Sequence, residues 1–164
     1  MARTRKSVAT QFSSFLKNAL DGLKFHKIEN WEINWRIPGT RDTVDVAGIG
    51  RNGEPRVLIE AERLRDNPVS NVTKIWHSSS ELGCLPTKIV LVQAFSGVFN
   101  GPKSTMRGRA IFIARMMHRS LPRVLYLPID YPLVPKSRAK VLGGASRRQA
   151  NLIARQIHHQ CAHR

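Results

Sequence analysis

Asp45, Glu60 and Glu62 are the residues of this chain whose types and spacing most suggest chemistry. They sit in two short apolar segments, Asp45-Val46-Ala47-Gly48-Ile49 and Val57-Leu58-Ile59-Glu60-Ala61-Glu62. Between the segments runs Arg51-Asn52-Gly53-Glu54-Pro55, and Asn-Gly between two apolar runs is a strong hairpin signal. Side chains alternate across a strand, so Leu58, Glu60 and Glu62 share one face and Val57, Ile59 and Ala61 the other. By the same rule Asp45 and Ala47 lie opposite Val44 and Val46. A short hairpin lets Asp45 converge with Glu60 and Glu62. Three carboxylates at one spot repel unless a cation holds them, and hard oxygen donors on a partly open site suit Mg²⁺ or Mn²⁺. The bland alternative is a set of exposed edge carboxylates. Against it, Glu60 and Glu62 end an apolar strand of central character, where unpaired charge is costly. Asp42 reads as a turn residue, and Glu29 and Glu32 as surface residues.

The elements that must position these residues can be read from periodicity. Val8, Phe12, Phe15, Leu16, Ala19, Leu20 and Leu23 recur at helical spacing, with Gly22 near the end. Lys27 to Ile37 reads as a strand in which Trp31, Ile33, Trp35 and Ile37 alternate with polar residues. Thr43 to Ile49 and Arg56 to Glu62 form the hairpin. Asn67-Pro68 opens a helix, with Asn67 as cap and Gly83 as stop. Lys88 to Phe95 is nearly continuous apolar, as in a strand covered on both faces. Ser104 is a candidate cap for a helix over Met106 to Met117, Arg123 to Ile129 reads as a strand, and Ser146 caps a final helix ending near Cys161. The order α-β-β-β-α-β-α-β plus a C-terminal helix predicts an α/β fold with a mixed sheet flanked by helices.

Against these elements the motif becomes more specific. The Asp45 segment, the hairpin and the Glu60-Ala61-Glu62 segment resemble the PD-(D/E)xK nuclease superfamily, the restriction-endonuclease-like fold with an αβββαβ core. The resemblance covers roughly residues 7–95. It implies that Asp45, Glu60 and the Ala61 carbonyl hold Mg²⁺ or Mn²⁺, and that the substrate is DNA rather than RNA. Two positions depart from the pattern: Val44 stands where the family has Pro, and Glu62 where it has Lys. Glu62 could orient or deprotonate water or bind a second metal. Alternatively Lys74 reaches in from the following helix, where Asn67, Ser70, Asn71, Lys74 and Ser78 form a polar stripe. The expected catalytic set is therefore Asp45, Glu60, Glu62 and Lys74. A polar stripe can also be no more than a solvated face.

Composition agrees with a polyanionic partner. The 164 residues suit one domain, 1–164, with a basic arm over 1–6 and a basic extension over 131–164. The formal net charge is +16, yet six of the 11 carboxylates lie between Asp42 and Asp66. After Glu81 only Asp130 is acidic, against fourteen Lys and Arg. Such a balance is foreign to a neutral metabolic domain and attracts nucleic acid. Arg107, Arg109 and Arg115 on one amphipathic helix, and Arg147, Arg148 and Arg155 on another, are the candidate phosphate contacts. The terminal helix could instead dock on a second copy of the chain, giving a homodimer. No apolar run is long enough to span a bilayer, so no membrane partner is expected. The first 24 residues are basic and amphipathic, as in organelle transit segments, but no secretory signal follows. Two cysteines make no disulfide framework, which points to a reducing, cytoplasmic setting. His158, Cys161 and His163 lack an upstream ligand pair for zinc, and no P-loop occurs.

These readings leave three functions. The first is a metal-dependent endonuclease cutting phosphodiester bonds. The second is a non-catalytic nucleic-acid-binding or assembly protein on the same fold. The third is a basic RNA-associated factor whose carboxylates are incidental.

Overall fold

The computed structural model describes residues 7–63, 67–86, 88–100, 105–132 and 143–161. Ser7 caps the first helix, α1 (Val8–Asp21), its hydroxyl accepting from the Thr10 amide at 3.1 Å. Three strands follow, β1 (Asn30–Arg36), β2 (Thr43–Ile49) and β3 (Pro55–Glu62). Gly53, at φ 76, supplies the left-handed residue that the β2–β3 turn requires. Asn67 caps α2 (Pro68–Ser80), with Pro68 at the first position, where no donor is lost. The chain continues through β4 (Ile89–Ser96), one 3₁₀ turn (Gly97–Asn100), α3 (Met106–Ser120), β5 (Val124–Tyr131) and α4 (Gly144–Cys161).

The result is an α/β fold with a five-stranded mixed sheet in the order β1-β2-β3-β4-β5. β1–β2 and β2–β3 pair antiparallel, whereas β3–β4 and β4–β5 pair parallel. Four helices flank the sheet. On one face Phe12, Leu16 and Leu20 of α1 and Ile153 and Ile157 of α4 pack over Val46, Ile59 and Val92. On the other, Val72 and Ile75 of α2 and Ala110, Ala114 and Met117 of α3 pack over Leu58, Leu91 and Phe95. Both faces of β3 and β4 are thus covered, as their continuous apolar character demands. The segment read as a basic extension supplies α4, whose inner side chains belong to the core. Among the described residues no helix is long and apolar enough to cross a membrane.

Three local readings need correction. Thr105, without a side-chain cap bond, precedes α3, and Ser104 lies outside the described residues. α4 begins at Gly144, so Ser146 is a buried residue of its first turn and not a cap. The third correction concerns alternation at the edge of the sheet. Trp31 and Ile33 pack on the α1/α4 side, but Trp35 and Ile37 pack on the α2/α3 side. Asn34 between them has φ 50, and this left-handed residue turns the strand over. Val44, paired with Trp35, turns with it and packs opposite Val46. Asp45 stands between these two valines, at the point of reversal.

Candidate active site

The three acidic positions lie where β2 and β3 separate. The antiparallel ladder runs from Gly48↔Val57 through Ala47↔Leu58 to Val46↔Ile59. Beyond that last rung a side chain continues the connection, the Asp45 carboxylate accepting from the Ala61 amide at 2.8 Å. Glu60 and Glu62 point to the α2/α3 face while Val57, Ile59 and Ala61 pack on the other, as alternation requires. β3, β4 and β5 are parallel and α2 follows β3, so the N-terminal end of α2 lies at this same edge. The C-terminal edge of parallel strands is where open α/β sheets place their ligand crevices.

An open cleft of about 940 Å³ occupies this position. Asp45, Glu60 and Ala61 form its floor, the start of α1 (Val8, Ala9, Phe12) one wall, and Asn67, Asn71 and Lys74 of α2 the other. Glu60 is only 4 % exposed. Lys74 places Nζ 2.6 Å from Glu60 Oε1 and donates to the Thr43 carbonyl and to Asn71 Oδ1. Burial pushes the Glu60 carboxyl up to about 8, further raised by the Asp45 and Glu62 charges and opposed by Lys74. Desolvation therefore outweighs the single neighbouring ammonium.

Glu62 does not line the cleft that holds Asp45 and Glu60. It is fully buried and its Oε1 accepts from Asn71 Nδ2 at 2.9 Å and from Gln93 Nε2 at 2.5 Å. Two amide donors hold it on the sheet. Among the described residues no three acidic, histidine or cysteine side chains are grouped as a complete metal cage. Asn71 then passes the connection on to Lys74, and Gln93 passes it back to the Tyr126 hydroxyl, which donates to Gln93 Oε1 at 2.7 Å. Gln93 also donates to the Pro68 carbonyl. A continuous polar chain, Tyr126–Gln93–Glu62–Asn71–Lys74–Glu60, thus crosses three strands and the first turns of α2. Burial raises the Tyr126 phenol further above its ordinary value, so that it acts here as a fixed donor. Gln93, Tyr126 and Arg63, which also lines the cleft, were not among the expected site residues. Gln93 had a signal, as the one polar residue within the apolar run Ile89 to Phe95.

The polar stripe of α2 divides in two. Asn67, Ser70, Asn71 and Lys74 line the cleft, whereas Ser78 is buried beneath the helix. The six candidate phosphate-binding arginines also fall into two groups, because α3 and α4 cover opposite faces of the sheet. Arg107 is engaged by Asp130 through two hydrogen bonds of 2.9 and 2.7 Å and lies over the Phe95 ring. Arg109 and Arg115 are exposed. On α4, Arg147 lies over the Phe15 ring, while Arg148 and Arg155 are exposed. His158 contacts the Lys24 carbonyl at 2.8 Å and the edge of Phe25, and His163 lies outside the described residues, as does the arm over 1–6.

The donor chemistry fits a hard divalent cation. Asp45 and Glu60 offer carboxylate oxygens at one cleft, and Ala61 lines it beside them. Mg²⁺ needs only one or two carboxylates, with water and substrate phosphate completing its shell. Comparison with family models, with curated proteins and with solved structures gives no match.

Proposed function

We propose that this protein is a metal-dependent nuclease of the restriction-endonuclease-like class, hydrolysing phosphodiester bonds, with DNA as the favoured substrate. The observation that carries the reading is the Asp45–Glu60–Lys74 arrangement at the split between β2 and β3, within a cleft open to solvent. A Mg²⁺ or Mn²⁺ ion held by Asp45, Glu60 and the Ala61 carbonyl would supply charge neutralisation and an activated water. Lys74 is the family's missing lysine delivered from α2, its ammonium already against Glu60. It orients the nucleophile and offsets charge on the phosphate under attack. Glu62 is a positioning residue in this reading: it fixes Asn71, and Asn71 fixes Lys74. The formal charge of +16 supplies the attraction for phosphates.

The test is nicking of a supercoiled plasmid with Mg²⁺ or Mn²⁺. Asp45→Ala and Glu60→Ala should abolish nicking and leave nucleic-acid affinity intact or raised, because neither substitution removes a positive charge from the phosphate path. Undiminished cutting by both variants would overturn the metal site. A wild type that binds nucleic acid but never cuts would favour the non-catalytic binding protein on the same fold.

A further inference from the structure

A second hollow opens beside the acidic cleft. It has a volume of about 730 Å³ and lies between the N-terminal parts of α2 and α3, lined by Val69, Met106, Gly108, Arg109, Phe112 and Ile113. Asn67 borders both hollows, so the two adjoin at the cap of α2. Phe112 is 60 % exposed, the most exposed of the large apolar residues described. An aromatic ring held out in water on a rigid helix loses nothing by stacking against a flat partner. Its surroundings favour an anionic one. α3 carries Arg107, Arg109, Arg115 and Arg119 and no acidic residue. Arg107 is engaged by Asp130, but no ion pair holds Arg109 or Arg115 among the described residues. Arg109 and Arg115 lie three residues before and after Phe112, so both cations flank the ring on the same helical face.

We infer that the Phe112 hollow receives an unpaired nucleobase of the strand whose phosphate enters the acidic cleft, with Arg109 and Arg115 on the adjoining phosphates. The inference rests on the nuclease reading for its placement and deepens it: the preferred substrate has an unstacked or single-stranded base at the cut site. Inside a duplex a base has both faces occupied by its neighbours and cannot stack on Phe112 without first being extruded. A single strand presents its bases freely, and stacking on an aromatic side chain tolerates any base.

The experiment measures binding of a fluorescein-labelled single strand of about 16 nucleotides, and of its duplex, without divalent cation. Phe112→Ala should lose about tenfold in affinity for the single strand, while duplex binding changes little. Phe112→Trp should restore the single-strand affinity. Equal losses on both forms, or no loss on the single strand, would overturn the inference. Sedimentation of the same variants covers the rival occupant: a dimer dissociated by Phe112→Ala with oligonucleotide affinity unchanged would assign the hollow to a second copy of the chain and overturn it equally. Strand preference that depends on Phe112, in a protein that never cuts, would sink the nuclease reading alone.

Discussion

At the scale of single residues, Glu60 carries a stored cost. Its carboxyl is raised to about 8 in the folded chain and relaxes toward 4.5 on unfolding. Between those values the folded state keeps a proton that the unfolded state releases, so stability falls as pH rises from about 4.5 to about 8. Glu60→Gln should flatten that slope, read as the urea midpoint against pH without divalent cation. Glu62 makes the opposite case, a buried acceptor met by two donors. In Glu62→Lys an ammonium would face the Asn71 and Gln93 amides with nothing to accept their hydrogens. The substitution should cost about 3 kcal/mol or more of stability and, on the nuclease reading, reduce cutting with it. Thermal melting and the nicking assay check both halves. A gain of cutting from an inert wild type would mark the site as a degenerate remnant.

At the scale of elements, the hairpin and its flanking helix set the site, and most of that was legible. Asn52-Gly53 announced the turn, Asn67-Pro68 the start of α2, and strict alternation the facing of Glu60 and Glu62. The reversal at Asn34 was not legible, because Trp31, Ile33, Trp35 and Ile37 keep a period of two straight through it. Only the backbone turns over, and asparagine tolerates that conformation without demanding it. Nor could spacing show that Glu62 turns to Asn71 and Gln93, since Gln93 arrives from a strand 31 residues further on. Gly48 ties the same edge together. A Cβ there would lie 2.7 Å from the Trp31 ring and 2.8 Å from Ile28. Gly48→Ala should therefore cost about 1 to 3 kcal/mol, seen as a lower urea midpoint at unchanged slope. Because Gly48 lies three residues from Asp45 on β2, the nuclease reading predicts that the variant also weakens cutting more than its stability loss alone accounts for.

At the scale of the whole molecule, charge and connectivity set the behaviour. Two cationic helices on opposite faces of the sheet predict binding that weakens steeply with salt. Each duplex phosphate engaged should add about 0.9 to the slope of log affinity against log salt. A flat titration would remove nucleic acid as the partner. Connectivity carries a separate consequence through the packing of α4 on α1. Every strand of the sheet is synthesised before α4, so the apolar layer of Val46, Ile59 and Val92 waits for its last cover. At ordinary rates of translation the 18 residues of α4 take about one to four seconds to make. Throughout that interval a nascent chain dense in arginine displays an apolar face covered by α1 alone, a target for chaperone capture. A chain stopped at Pro132 should remain in that state, binding hydrophobic dyes and failing to show a near-ultraviolet dichroism signal.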